Sequence, residues 1–538
     1  MNDRSPASFW RWAIEQPAAP ALVSSDEVVT RGDLLEASNR LVHAFRARGM
    51  GLGDGVAAML PSGRALLELS LAATQAGWHL TPINTHLVGA EVAYIVRDSM
   101  AKIFVGHERY ASVCGEVAAE GSIAGDGLLA VGEVGGFHAL DDAVKRHATT
   151  VPPNRVAGEL MYYTSGTTGR PKGVRVAIKH RSPEERFSEY TILVRHYGIT
   201  PGGNGVHLCA CPLYHSAPMA WAMCALHLGH VLVVMDKWDA EQALKLIDRH
   251  RVTYTHMVPT QFRRMLLLDN QTRHRYDLSS LTHLVHGAAP CPIEVKRQML
   301  DWLGPVIYEY YAASEGRGTT VGPHEWLERP GTVGRPWPGL GIRIIGDDGS
   351  DLPPNKPGAV FLRLDDQVPF EYFNDPEKTA KNRRGDYFTT GDIGYLDDGG
   401  YLFLCDRSAD VIISGGANIY PAEIEAALVT HPVVADAAVI GVPSEEWGEQ
   451  AAAFIELVDG VAPARELAEQ LFLHCRKNLA AFKCPRSVTF AGSLPRDPSG
   501  KLRRRVLRQE QPQGARFPVG PGPSSSAHIE ESRQHDAP

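Results

Sequence analysis

The sequence predicts an α/β protein. A large N-terminal domain of several subdomains carries mainly parallel, layered sheets and a small distorted barrel element; a small α+β domain follows. Three observations predict it. From Ala21 to about Arg335, short apolar runs alternate with longer stretches of helical period, the pattern of parallel sheets covered by helices. Residues 335–405 turn richer in Gly and Asp with short alternating stretches, as an antiparallel or barrel-like element would. Past a boundary at Asp406–Asp410, a helix, a strand and a second helix make a module of about 100 residues, an ordinary domain size.

Taken in order, Val56–Leu60, Lys102–Val105, Val231–Met235 and His283–His286 read as buried strands, because apolar residues run without polar alternation. Arg64–Gly77, Ala240–Arg251 and Ile293–Trp302 read as helices. Gly358–Leu364 alternates and reads as a half-buried strand. In the last module Glu423–Leu428 and Ala464–Leu479 are expected helices and Ala437–Val442 a strand. The domains are therefore set at 1–405 and 406–508. Residues 509–538, rich in Pro, Gly and Ser, are expected to be a disordered tail outside the fold. Trp10, Trp12 and Ile14 suggest a short amphipathic helix docked on its own domain.

Composition narrows the function. Lys and Arg number 54 against 62 Asp and Glu, a net charge of −8, so nothing favours nucleic acid. No apolar run approaches the roughly 20 residues that cross a bilayer. The N-terminus lacks the apolar core of a secretory signal. Eight scattered cysteines form no C-x-x-C pair, which argues against a zinc site or disulfide framework and for a reducing cytoplasm.

Residues 163–174, Tyr-Thr-Ser-Gly-Thr-Thr-Gly-Arg-Pro-Lys-Gly-Val, follow the apolar run 160–163. Glycines let a backbone approach a ligand closely. Hydroxyls and successive N–H groups make a concave nest for a polyanion, and Lys172 adds a point charge suited to phosphate. The spacing is not G-x-x-x-x-G-K-[ST]. A Ser/Thr/Gly linker is the bland alternative, which the preceding strand and the Pro-Lys-Gly sequel disfavour.

This run resembles the phosphate loop of the adenylate-forming superfamily, which includes acyl- and aryl-CoA synthetases. Five later segments resemble further signatures in the expected order, so the likeness spans roughly Phe9 to Arg508. It implies that Thr164, Ser165, Gly166, Thr167, Thr168, Gly169 and Lys172 bind ATP, with Ala288 and Ala289 beside the nucleotide. In Tyr308–Gly316, Ala312 and Ser314 replace the family's Gly and Thr. There the resemblance stacks Tyr311 on adenine, bonds Ser314 to the α-phosphate and gives Mg2+ to Glu315, a sensible ligand for a hard cation. Asp392, in Thr390-Gly-Asp, would accept the ribose hydroxyls, and Arg407 would touch ribose or phosphate.

Ser414, Gly415 and Gly416 fall where family members approach the pantetheine arm of CoA. Lys501, in Leu494-Pro-Arg-Asp-Pro-Ser-Gly-Lys, matches the catalytic lysine of a mobile C-terminal domain. Ala409 stands where the family's hinge carries Asp or Lys, which leaves rotation to neighbours such as Ser408 and Asp410. His215, Trp221, His286, Gly287 and Gly316 would line the acyl pocket; His215 replaces the aspartate by which peptide-synthetase domains hold an amino group.

The activity implied is ATP-dependent acyl-CoA ligation. A bulky or long hydrophobic carboxylic acid, of fatty, steroid-side-chain or terpenoid type, would become acyl-AMP with loss of pyrophosphate, and CoA would then displace AMP. Delivery to a carrier protein, specialisation for one half-reaction, and a nucleotide- and acyl-binding pseudoenzyme are the alternatives. The acid, the acceptor and the oligomeric state, a homodimer included, stay open at this point.

Overall fold

The computed structural model describes residues 8–25, 27–164, 171–364, 370–497, 500–510 and 514–520. Two compact units emerge: residues 1–404 with 498–501, and residues 405–497 with 502–538.

In the larger unit, two sheets carry the layers. Among the described residues the first runs, in spatial order, 335–336, Gly316–Val321, Ile307–Ala313, His283–His286, Tyr254–Met257, Val206–Cys209, Val231–Val234, Pro20–Val23 and Val28–Thr30. Its interior is parallel from 307–313 to 20–23, and both ends turn antiparallel. The second, centred on Ala101–His107, Gly55–Ala58 and His79–Pro82, is parallel throughout. Helices cover these sheets as the periodicity predicts. Arg64–Ala76 ends on Gly77 in the left-handed region, and Ala240–His250 starts on Asp239, whose carboxylate accepts Gln242 N–H at 2.8 Å.

The segment 159–164, which holds the apolar run 160–163, divides between two sheets. Glu159–Leu160 joins the second parallel sheet, while Tyr162–Thr164 pairs with Lys172–Val176, and that strand with Phe370–Tyr372, in a small antiparallel sheet. Met161, buried, is the crossing point. Strands Ile342–Ile345, Gly358–Arg363, 383–384, 387–388 and Asp392–Leu396 form an antiparallel sheet around Gly358–Arg363, the element expected from the alternating Gly- and Asp-rich stretch. The N-terminal helix Phe9–Glu15 buries Phe9 and Trp10 and donates from Trp12 Nε1 to His227 O at 3.1 Å.

The smaller unit packs Pro421–Leu428 and Arg465–Asn478 on a sheet whose longest strands, Val434–Ser444 and Gly448–Leu457, form one hairpin. The tail requires a correction. Residues 504–510 are helical, and Arg516–Pro518 adds a strand antiparallel to Ser487–Ala491. Phe517 meets Phe490 edge-on at 5.9 Å and Val519 is buried, so two apolar side chains suffice to capture a stretch whose Pro and Gly content suggests disorder. Pro518 is tolerated because an outer strand can spare an N–H. Phe517→Ala should destabilise this unit by roughly 1–2 kcal/mol, less than the ~3–5 of a fully buried phenylalanine; thermal unfolding of the full chain would read it as a lower midpoint.

Candidate functional site

The phosphate-loop candidate closes a hairpin in which Thr164 pairs with Lys172 and Tyr163 with Gly173. Ser165, Gly166, Thr167, Thr168 and Gly169 lie outside the described residues. Tyr163 donates its hydroxyl to Asp98 at 2.7 Å, and its ring lies 3.2 Å from where a Gly173 Cβ would stand, so a larger residue there would press on the ring. Lys172 Nζ, mostly buried, is ion-paired to Asp375.

A second hairpin presents the acidic end. Strands 307–313 and 316–321 turn at Ser314 and Glu315, which puts both side chains at the tip. Ser314 Oγ sits 3.3 Å from Ser216 Oγ, and Glu315 Oε1 accepts the Tyr372 hydroxyl at 2.8 Å. Three residues before Ser314, Tyr311 donates to Asp392 Oδ2 at 2.5 Å, and Thr390 donates to the same oxygen. Asp392 is 9% exposed, so its carboxylate is desolvated but bonded. The structure thus ties Tyr311 directly to Asp392, a link that motif order alone does not reveal.

The turn 287–289 follows strand His283–His286, which pairs with Ile307–Ala313. Ala288 holds φ at 69°, a left-handed backbone that is strained for a residue with a Cβ. Its side chain is exposed, Ala289 half so. A Cβ on Gly287 would stand 2.8 Å from Tyr310, in backbone and ring alike, so only glycine fits there.

His215 immediately precedes the buried helix Ser216–Leu228, at the N-cap position but with no side-chain capping bond. From that helix Trp221 stacks on His256 (6.1 Å, 22°) and His207 (6.2 Å, 24°), while His256 Nε2 meets the Tyr310 hydroxyl at 2.9 Å. Burial pushes His207 and His256 down to about 3, so both imidazoles are neutral. His286 departs from expectation. Its register partners are Met257 and Glu309, and it packs on Phe262 at 5.0 Å, with Nε2 3.5 Å from Glu309 Oε2. That is the opposite sheet face from Trp221 and Tyr310, because side chains alternate along a strand. His286 and Trp221 do not share a pocket wall. Gly316 faces Phe388, 3.0 Å from a would-be Cβ.

In the smaller unit, Ser414 pairs with Ala417 across Gly415 and Gly416, whose φ values of 56° and 81° make a two-residue turn suited to glycine. Gly415 N–H donates to Trp447 O at 2.8 Å, and the indole covers the turn. Arg407 and Ala409 are exposed. The turn around Ala409 is anchored by Asp410, paired with Arg504 (3.4 Å) and Arg508 (3.0 Å). Arg504 also grips Glu425. Asp406 accepts Ala422 N–H at 2.9 Å, and burial raises its pKa. Lys501, half-buried, groups with the larger unit and lies within the stretch that Arg503 N–H closes on Pro495 O at 2.8 Å, where Arg496 is paired with Asp436.

Sequence reasoning missed Tyr310, His256, Tyr372, Asp375 and Lys378. The Asp375-Pro376 pair, a helix-start signal, is the one trace of the last three. Among the described residues no group of three or more His, Cys, Asp or Glu could cage a metal. A single carboxylate such as Glu315, completed by phosphate oxygens and water, instead fits Mg2+.

Residues 9–368 match the family described as AMP-binding enzyme, and residues 423–501 match its C-terminal domain. A fatty acid–[acyl-carrier-protein] ligase of Streptomyces coeruleorubidus, ScoC, is 33% identical over 92% of this chain and 94% of its own. The 3-[(3aS,4S,7aS)-7a-methyl-1,5-dioxo-octahydro-1H-inden-4-yl]propanoyl:CoA ligase of Rhodococcus jostii is 33% identical over 94% of this chain and 98% of its own. Among solved structures, o-succinylbenzoate CoA synthetase of Bacillus subtilis with its acyl-adenylate superposes with a TM-score of 0.77. It is 26% identical and covers 94% of this chain and 98% of its own.

Proposed function

Because the chain belongs to the AMP-binding enzyme family, within the adenylate-forming acyl-CoA synthetases and their acid–thiol ligase chemistry, we propose that it joins a bulky hydrophobic carboxylic acid to CoA through an acyl-adenylate. The observation that carries the reading is the arrangement in the larger unit, where Lys172, Glu315 and the Tyr311–Asp392 pair come from the two hairpins and the segments they bond.

Attack of a carboxylate on a phosphate sets anion against anion, so the site must neutralise charge and align the reacting oxygens. The acid's oxygen bonds to the α-phosphorus, the bond to the bridging oxygen breaks, and pyrophosphate leaves with the electron pair. Lys172 and the loop before it would hold the departing phosphates, Ser314 the α-phosphate, and Asp392 the ribose. Held by Glu315, Mg2+ would screen phosphate charge. Lys501 would bring an ammonium to the same step. In the second step the thiol sulfur bonds the acyl carbon, AMP leaves, and the thiol proton passes to solvent. Ser414–Gly416 would admit the pantetheine arm, and Ala409 would be the hinge between the two steps.

The buried Trp221, stacked on His256 and His207, supports an apolar acid, as does the relative named for a bicyclic propanoyl group. A second reading, delivery to a carrier protein, is favoured by ScoC, named for such an acceptor. A cytoplasmic setting is part of the proposal, supported by eight cysteines with no disulfide among the described residues; no described helix is long and apolar enough to cross a membrane.

Mass spectrometry of the full chain with Mg-ATP, CoA and a panel of carboxylic acids tests it. Acyl-CoA with AMP from bulky apolar acids is the expected result. Acyl-AMP that discharges only onto a phosphopantetheinylated carrier would establish the second reading. Turnover confined to short polar acids would overturn the substrate class.

A further inference from the structure

One short segment touches both charged ends of the candidate ATP site. Helix Pro376–Lys381 starts at Asp375, whose Oδ1 accepts Lys378 N–H at 3.0 Å while Oδ2 pairs with Lys172. Lys378 extends its ammonium over the Tyr372 ring, 4.4 Å from the centroid. The hydroxyl of that ring donates to Glu315 and accepts from Asn382 at 3.3 Å. Burial and the Lys172 ammonium lower the Lys378 pKa, against an upward pull from Glu315, so Lys378 feels both residues.

A triphosphate carries about four negative charges, more than one lysine can balance. When the bond to the α-phosphorus breaks, its electron pair settles on a β-phosphate oxygen, and a preorganised cation nearby stabilises that charge. An aromatic face is a suitable rest for such a cation: it holds an ammonium without supplying an anion that phosphate would have to displace. Lys172 differs, because its resting partner is a carboxylate.

Building on the ATP-dependent reading, we propose that Lys378 is a second cation for the pyrophosphate moiety of ATP, beside Lys172, and that Asp375 is a positioning residue holding Lys172 until phosphate replaces it. Tyr372 serves both sides, supporting Lys378 with its ring and Glu315 with its hydroxyl.

Calorimetric titration of the full chain with Mg-ATP, Mg-pyrophosphate and AMP tests this. Lys378→Gln should weaken Mg-ATP and Mg-pyrophosphate about tenfold, the order of one charge-assisted contact, and move AMP by less than twofold. Lys378→Arg should recover most of the loss. An unchanged Kd for Mg-pyrophosphate, or equal weakening of AMP, would overturn the proposal, since a purely structural lysine would not discriminate between ligands. The proposal stands apart from acid turnover: a wild-type protein that binds both probes yet forms no acyl-AMP would reject the functional reading and leave the Lys378 comparison decisive.

Discussion

Lys501→Ala is expected to slow acyl-adenylate formation by about 10²–10³, the usual cost of removing one preorganised group from a developing charge. The fold should survive the change. Arg496 with Asp436, and Arg503 N–H on Pro495 O, close the loop without the lysine side chain, and the helix 504–510 that follows is held by Asp410 and Glu425. Two measurements separate the steps: pyrophosphate release from ATP and acid, and thioester formation from supplied acyl-adenylate and CoA. The first should collapse while the second stays within a few-fold. Equal loss in both would make Lys501 a structural residue.

The largest stability effect is expected inside the larger unit, at Lys296 and Glu309. Lys296 is 0% exposed and Glu309 5%; they meet at 2.6 Å, and the ammonium also lies 4.6 Å from the centre of the Trp326 ring. Burial raises the Glu309 pKa and the paired ammonium opposes that, so the carboxylate depends on its partner to stay charged. Lys296→Met should therefore cost about 3–5 kcal/mol, because it leaves a buried charge uncompensated. The double change Lys296→Met with Glu309→Leu should recover most of that, since an apolar pair needs no compensation. Chemical denaturation of the full chain, followed through the transition of the larger unit, reads both. A single-variant loss under 1 kcal/mol would show that water reaches the pair.

Glu309 sits two residues before Tyr311 on the strand that ends at Ser314 and Glu315. Loosening that strand should also raise the KM for ATP in the single variant.

Much of this was legible in the residues. Buried strands such as 283–286 and helices such as 240–250 follow from period and apolar content, since parallel sheets covered on both faces need continuous apolar strands. Lys172, Glu315, Asp392 and Lys501 are proposed from motif order, not from local chemistry; a lone Thr-Gly-Asp is an ordinary turn. Partnerships are another matter. That Lys172 rests on Asp375 and Tyr311 on Asp392 depends on strands brought together across long stretches of chain, which no local pattern encodes. His286 shows the limit from the other side: its position beside Gly287 suggests a pocket residue, but one step along a strand reverses the face. The strand at 516–518 escaped because a tail's average composition hides two apolar side chains that suffice for docking.

The crossing at Met161 has a consequence for how the protein is made. Glu159–Leu160 can settle into the parallel sheet as soon as that sheet exists, but the hairpin beyond it needs Phe370–Tyr372, because Val174 pairs with Tyr372. Those residues leave the ribosome roughly 200 positions later, on the order of 10–40 s at ordinary elongation rates. The phosphate-loop hairpin therefore completes its sheet late, after most of the larger unit has been synthesised. A nascent chain halted before residue 370 should hold much of its parallel architecture without this small sheet, so, on the proposed placement of the nucleotide site, competence to bind ATP would mark the end of the larger unit's assembly.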